Sequence, residues 1–225
     1  MYLGKYAVYI FPMDTEPQII ALANFKGGTG KTTSAAYLAH AFQERGHNVL
    51  LVDADGTRKA GSLTKWAQLS GWSIRTERLT TPHLHRELPG LIGRRFDVVI
   101  IDTPPLERDA GTVESAMRAA SAIVLPMAPS LMELAEVPEL LDAAARMDRH
   151  HAEPVRVQVL LNRVNATALS SGRFRRKLEP LGCQVLRTEI RQREDIRARA
   201  FGRQITGTLY GYFSAAGELE TGARK

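Results

Sequence analysis

The sequence predicts a single α/β domain, a mostly parallel twisted sheet with helices on both faces. Short runs rich in Val, Ile and Leu recur along the chain, and each is apolar on successive residues, which suits strands covered on both sides. Stretches of helical character separate one run from the next, the pattern of parallel strands joined by crossover helices. With 225 residues and 44% apolar content the chain encloses one sizeable core, and no repeat, low-complexity linker or break in composition divides it.

Taken in order, the strands fall at residues 19–24, 48–52, 97–101, 122–126 and 155–161. The first helix spans 31–45 and stops at Gly46, a residue suited to the left-handed turn that ends helices. Further helices are expected at 83–90, 111–120 and 131–149, with Pro138 marking a start or kink in the last. Another pair lies near 171–181 and 193–201. Residues 1–17 read as an N-terminal extension, of which 1–12 carry little structural role; 18–213 form the domain and 214–225 a C-terminal tail.

Composition excludes several classes of function. Cys183 is the single cysteine, so the chain alone supplies neither an internal disulfide, a thiolate zinc site nor a cysteine-held cluster, and a reducing compartment fits. The apolar run at 7–13 is too short to span a bilayer and has only Lys5 as a basic flank. A formal charge of +6 and a pI near 9.7 favour an acidic partner without identifying it.

The chemistry starts between the first strand and the first helix, at Lys26-Gly27-Gly28-Thr29-Gly30-Lys31-Thr32-Thr33. Glycines let the backbone turn tightly and bring N–H groups against phosphate oxygens, and the helix N-terminus adds the positive end of its dipole. Lys31 supplies a point charge to the outer phosphates, and the Thr32 hydroxyl is placed to ligate Mg²⁺. A seven-residue match of this kind arises by chance on the order of once in 10⁴ to 10⁵ chains of this length. Its strand-loop-helix setting is the one the mechanism requires, so a P-loop NTPase fold with ATP and Mg²⁺ as cofactors is expected. The apolar strand ending at Asp102, followed by Thr103-Pro104-Pro105, presents one carboxylate to the Mg²⁺ shell. Asp53 and Asp55 close the second strand at the edge where open α/β sheets bind ligands. At the end of the last clear strand, Asn162 offers a donor and an acceptor to an adenine edge, or else caps the next turn.

These residues resemble the ParA/MinD superfamily of deviant phosphate-loop ATPases, and most of all its small ParA-type, ParF-like plasmid partition members, over about residues 18–213. Phe25 stands where the standard phosphate loop has glycine, and Lys26 looks like the family's signature lysine, which implies a role across an ATP-bound homodimer. The resemblance also implies that Lys26, Lys31 and Asp55 act in hydrolysis and that Asp55 belongs to a switch. Asp53 takes a supporting place at the metal with Thr32 and Asp102, and Gly27, Gly28, Thr29, Gly30, Thr33 and Asn162 hold the nucleotide. Gly56-Thr57 departs from the Pro-Gln usual in the family, which alters the expected switch geometry.

Arginines crowd the last quarter of the chain. Arg187, Arg191, Arg193 and Arg197 suit phosphate contacts that carry no sequence information, and Arg173, Arg175 and Arg176 are second candidates. A solvated, salt-bridged helix explains part of the cluster around Glu194 and Asp195. The family likeness implies non-specific double-stranded DNA, a separate centromere-binding protein similar to ParB or ParG, and a cytoplasmic, nucleoid-associated location. A MinD-like membrane-surface role or the positioning of a protein cargo is the alternative. The first of these needs a basic amphipathic C-terminal helix that 214–222 does not read as, so no membrane partner is expected.

Overall fold

The computed structural model describes residues 16–57, 62–148, 154–165, 170–199, 201–207 and 209–223. Of the extension expected at 1–17, residues 1–15 lie outside them. Seven parallel strands run in the order β3-β2-β4-β1-β5-β6-β7. They are β1 (Gln18–Leu22), β2 (Val49–Asp53), β3 (Arg75–Arg78), β4 (Val98–Asp102), β5 (Ala122–Met127), β6 (Arg156–Val164) and β7 (Gln184–Arg191).

Alternation along the central strands sorts their side chains into two cores. Ile20, Leu22, Leu51 and Ile100 face one side, where α1 (Lys31–Glu44), α2 (Ser62–Ser70) and α8 (Tyr212–Ala223) cover them. Ala21, Leu50, Val52 and Ile101 face the other, under α3 (Leu84–Ile92), α4 (Ala110–Ala119), α5 (Leu131–Asp148) and α6 (Ser170–Leu178). A short α7 (Glu194–Arg199) follows β7 and packs Ile196 against the first of these cores.

Pro138 lies inside α5 instead of starting it, and the helix runs on to Asp148. Ser130 opens that helix by accepting from the Glu133 N–H at 3.2 Å. Residues 214–223, expected to be a tail, form most of α8. Its Tyr212, Ala215, Ala216 and Leu219 are buried, and the Tyr212 hydroxyl sits 3.1 Å from that of Ser34 in α1. This helix also guards the sheet edge, because Glu218 accepts from the N–H groups of Arg187 and Thr188 on β7 at 2.7 and 2.8 Å.

The chain leaves β1 for β2 on one side of the sheet, whereas β5, β6 and β7 lie on the other. The order reverses at β1, and the crevice at the carboxyl end of such a switch point is where open α/β sheets take ligands. The loops after β1, β2 and β4 and the end of β6 all open there.

Candidate functional site

Two cavities flank the glycine-rich loop on this edge. One, of about 740 Å³, is lined by Lys31, Thr32, Asp55, Thr57 and Pro105 among others. The other, of about 800 Å³, is lined by Asn162, Arg163, Asn165, Arg191 and Arg193 among others. Gly28, Gly30 and Thr33 border both, so the loop is the shared wall of one trough. A nucleotide with its phosphates in the first cavity and its base in the second matches this division.

The loop is built for close approach. Gly30 has φ +98° and directly precedes α1, whose N-terminus has no side-chain cap. A Cβ at Gly30 would also lie 2.4 Å from Asn162 Nδ2, so a side chain there would strain the backbone and displace the Asn162 amide. The buried Asn162 accepts from the Arg163 N–H at 2.8 Å, which turns its amide nitrogen towards the loop. The N–H groups of Leu106 and Glu107 donate to the carbonyls of Asn24 and Phe25 at 3.1 Å each, tying the segment after β4 to the phosphate loop.

Lys31 is buried, and its Nζ donates to the Lys26 carbonyl at 3.0 Å. Burial pulls its pKa down, against the opposing attraction of Asp102 and Asp55. The Asp102 carboxylate is fully buried, and neither oxygen has a well-formed hydrogen bond among the described residues. Burial pushes its pKa up to about 7, while the nearby Thr32 hydroxyl and the Lys31 charge act in the other direction. A buried, unpartnered carboxylate is costly. Beside a phosphate cavity and a threonine hydroxyl it suits Mg²⁺, which keeps several waters and needs few protein oxygens. No cluster of three or more His, Cys, Asp or Glu capable of caging an ion alone occurs among the described residues.

Asp53 does not offer a free oxygen of this kind. Its Oδ2 accepts from the Thr64 N–H and hydroxyl, both at 2.9 Å, and its Oδ1 from the Asp55 N–H at 3.3 Å. In the structure Asp53 caps α2 and holds the segment after β2. This threonine partner escaped the sequence reading because Thr64 lies eleven positions away with no motif linking it. Lys26 forms an ion pair with Glu136 of α5, and Arg163 pairs with Glu133 at 3.3 Å. Burial raises the Glu133 pKa, against the Ala128 N–H and Arg163. These acidic partners also carried no sequence signal.

The arginines divide. Arg187, Arg191 and Arg193 are exposed along and just past β7, with Arg191 and Arg193 on the wall of the second cavity. Arg193 also lies over the Tyr210 ring, 4.7 Å from its centre. Arg175 is turned inward, donating to the Leu186 and Arg187 carbonyls at 2.6 and 3.1 Å and to Glu189, so it closes the edge of β7 instead of meeting a ligand. Arg197 belongs to α7, with its side chain outside the described residues.

Residues 20–205 match the family model described as the CobQ/CobB/MinD/ParA nucleotide binding domain. Over 137 residues the chain is 36% identical to the maintenance of carboxysome distribution protein A of Gloeobacter kilaueensis, the match spanning 59% of each chain. Over 157 residues it is 32% identical to the chromosome-partitioning ATPase Soj of Thermus thermophilus, spanning 54% of this chain and 59% of that one. The matched stretches thus cover less than two thirds of both relatives. In fold it resembles the septum site-determining protein MinD of Pyrococcus horikoshii, solved with Mg-ADP, with a TM-score of 0.70, 20% identity and coverage of 92% of this chain and 98% of that one.

Proposed function

Because the chain belongs to the CobQ/CobB/MinD/ParA nucleotide-binding family, we propose that it is a Mg²⁺-dependent ATPase that dimerises on ATP, binds DNA without sequence preference and is released after partner-stimulated hydrolysis. The observation that carries this reading is the pairing of two features on one sheet edge. A phosphate loop with Lys26 on its partly open rim stands beside Asp102, a buried carboxylate with no well-formed bond.

In this reading the loop N–H groups and Lys31 bind the phosphates, and Thr32 and Asp102 hold the Mg²⁺ shell. Mg²⁺ held there would neutralise the charge that develops on the phosphates. Asp55 orients the attacking water, and Asn162 receives the base. Lys26 leaves Glu136 to reach the nucleotide of a second copy. Arg187, Arg191, Arg193 and Arg197 supply phosphate contacts to DNA, doubled in the dimer. A separate centromere-binding protein similar to ParB or ParG chooses the locus, and the ATPase works in the cytoplasm on the nucleoid.

The carboxysome-distribution relative favours a second reading, in which the same cycle positions a protein assembly instead of a DNA locus. A membrane-surface role finds less support in α8, which spends Ala215, Ala216 and Leu219 on the core.

Light scattering after size-exclusion chromatography tests the dimer. With a non-hydrolysable ATP analogue the parent should run as a dimer, and Lys26→Ala should return it largely to monomer while still binding nucleotide. An unchanged dimer fraction in that variant contradicts the reading.

A further inference from the structure

We propose that Thr57 is a positioning residue for ATP hydrolysis, holding one oxygen of the Asp55 carboxylate so that the other faces the phosphate cavity. The inference deepens the reading above and rests on the role given there to Asp55.

Asp55 is about nine-tenths buried and lines the first cavity together with Thr57. Its Oδ1 accepts twice from Thr57, from the N–H at 2.9 Å and from the hydroxyl at 2.5 Å. Oδ2 has no hydrogen-bond partner among the described residues. A carboxylate gripped at one oxygen by two donors loses its freedom to rotate. The oxygen left over is then fixed in direction, which is what a group that must orient a water needs.

The grip is anchored further back. The Asp55 N–H donates to Asp53 Oδ1 at 3.3 Å, and Asp53 Oδ2 is held by the Thr64 N–H and hydroxyl at the start of α2. Thr64, Asp53, Asp55 and Thr57 thus form one relay from a helix to the cavity, and Thr57 is its only exposed member. Gly56 leaves room for the tight turn: a Cβ there would lie 3.3 Å from the side chain of Thr80, and its N–H donates back to the Ala54 carbonyl at 3.0 Å. The Gly-Thr pair that departs from the family pattern is therefore the pair that makes the grip.

Loss of the hydroxyl alone separates positioning from folding. Thr57→Val keeps the backbone N–H and the branched shape, and single-turnover hydrolysis should slow by about tenfold, the scale of one hydrogen bond to a charged group. ADP affinity, read by fluorescence, should stay within about twofold, because the lost bond touches Asp55 and no phosphate contact. Thr57→Ser, which keeps the hydroxyl, should recover most of the rate. Adding Thr57→Val to Asp55→Ala should slow the enzyme no further than Asp55→Ala alone, since the two residues act as one unit. An unslowed Thr57→Val, an equally slow Thr57→Ser, or fully additive losses each overturn the inference. Parental turnover in Asp55→Ala overturns instead the role of Asp55 on which it rests.

Discussion

Single residues in the trough carry buried charge. Lys31 is buried with its ammonium on a carbonyl of its own loop, and removing it takes away a buried positive charge from the phosphate cavity. Lys31→Ala should weaken ADP binding by about 10- to 100-fold, the cost of losing a hydrogen bond to a charged group, measured by fluorescence titration. Asp102 is the complementary case. Its folded pKa of about 7 lies above that of an unfolded aspartate, so the protonated form favours folding below pH 4. That contribution is lost as pH rises through 7. In EDTA the melting temperature should fall by a few degrees from pH 5 to pH 8, relative to Asp102→Asn, which cannot ionise. Stabilisation by Mg-ADP should grow over the same interval in the parent, because the metal needs the carboxylate. A parent and variant with parallel pH curves would contradict this placement of Asp102.

At the level of elements, α8 is integral to the fold. Leu219 is fully buried against the core of α1, so Leu219→Ala should cost about 2–5 kcal/mol, seen as a drop in the denaturation midpoint. A change within 0.5 kcal/mol would mean that the helix is peripheral. The sequence hid this helix because its composition, with Gly217 and Gly222 and few charges of one kind, has the look of a loose end. The central strands were legible because they are apolar on both faces, and each was found within a few residues. The edges were not. The β3 segment Arg75-Thr76-Glu77-Arg78 is polar throughout, and β7 sets Arg187 and Arg191 among only three apolar residues, so it reads as a basic patch before it reads as a strand. The site divides in the same way. The glycine-rich loop and Asp102 are local patterns, whereas Asp53 with Thr64, and Lys26 with Glu136, meet only when distant elements pack.

For the whole molecule, the proposed cycle links nucleotide state to DNA affinity through dimerisation. Each protomer offers a modest set of exposed arginines near the end of β7, and in that proposal joining two protomers doubles the phosphates that one particle neutralises. The dependence on salt then reports the number of contacts, because the slope of log affinity against log salt is about −0.9 per phosphate. The most direct test is fluorescence anisotropy with several unrelated duplexes over a range of salt, comparing ADP with a non-hydrolysable ATP analogue. The proposed cycle predicts tight, sequence-indifferent binding with the ATP analogue only, and for Arg191→Ala with Arg193→Ala a weaker affinity on every duplex with a flatter salt slope and an intact dimer. Equal affinity with ADP and with the ATP analogue would contradict it.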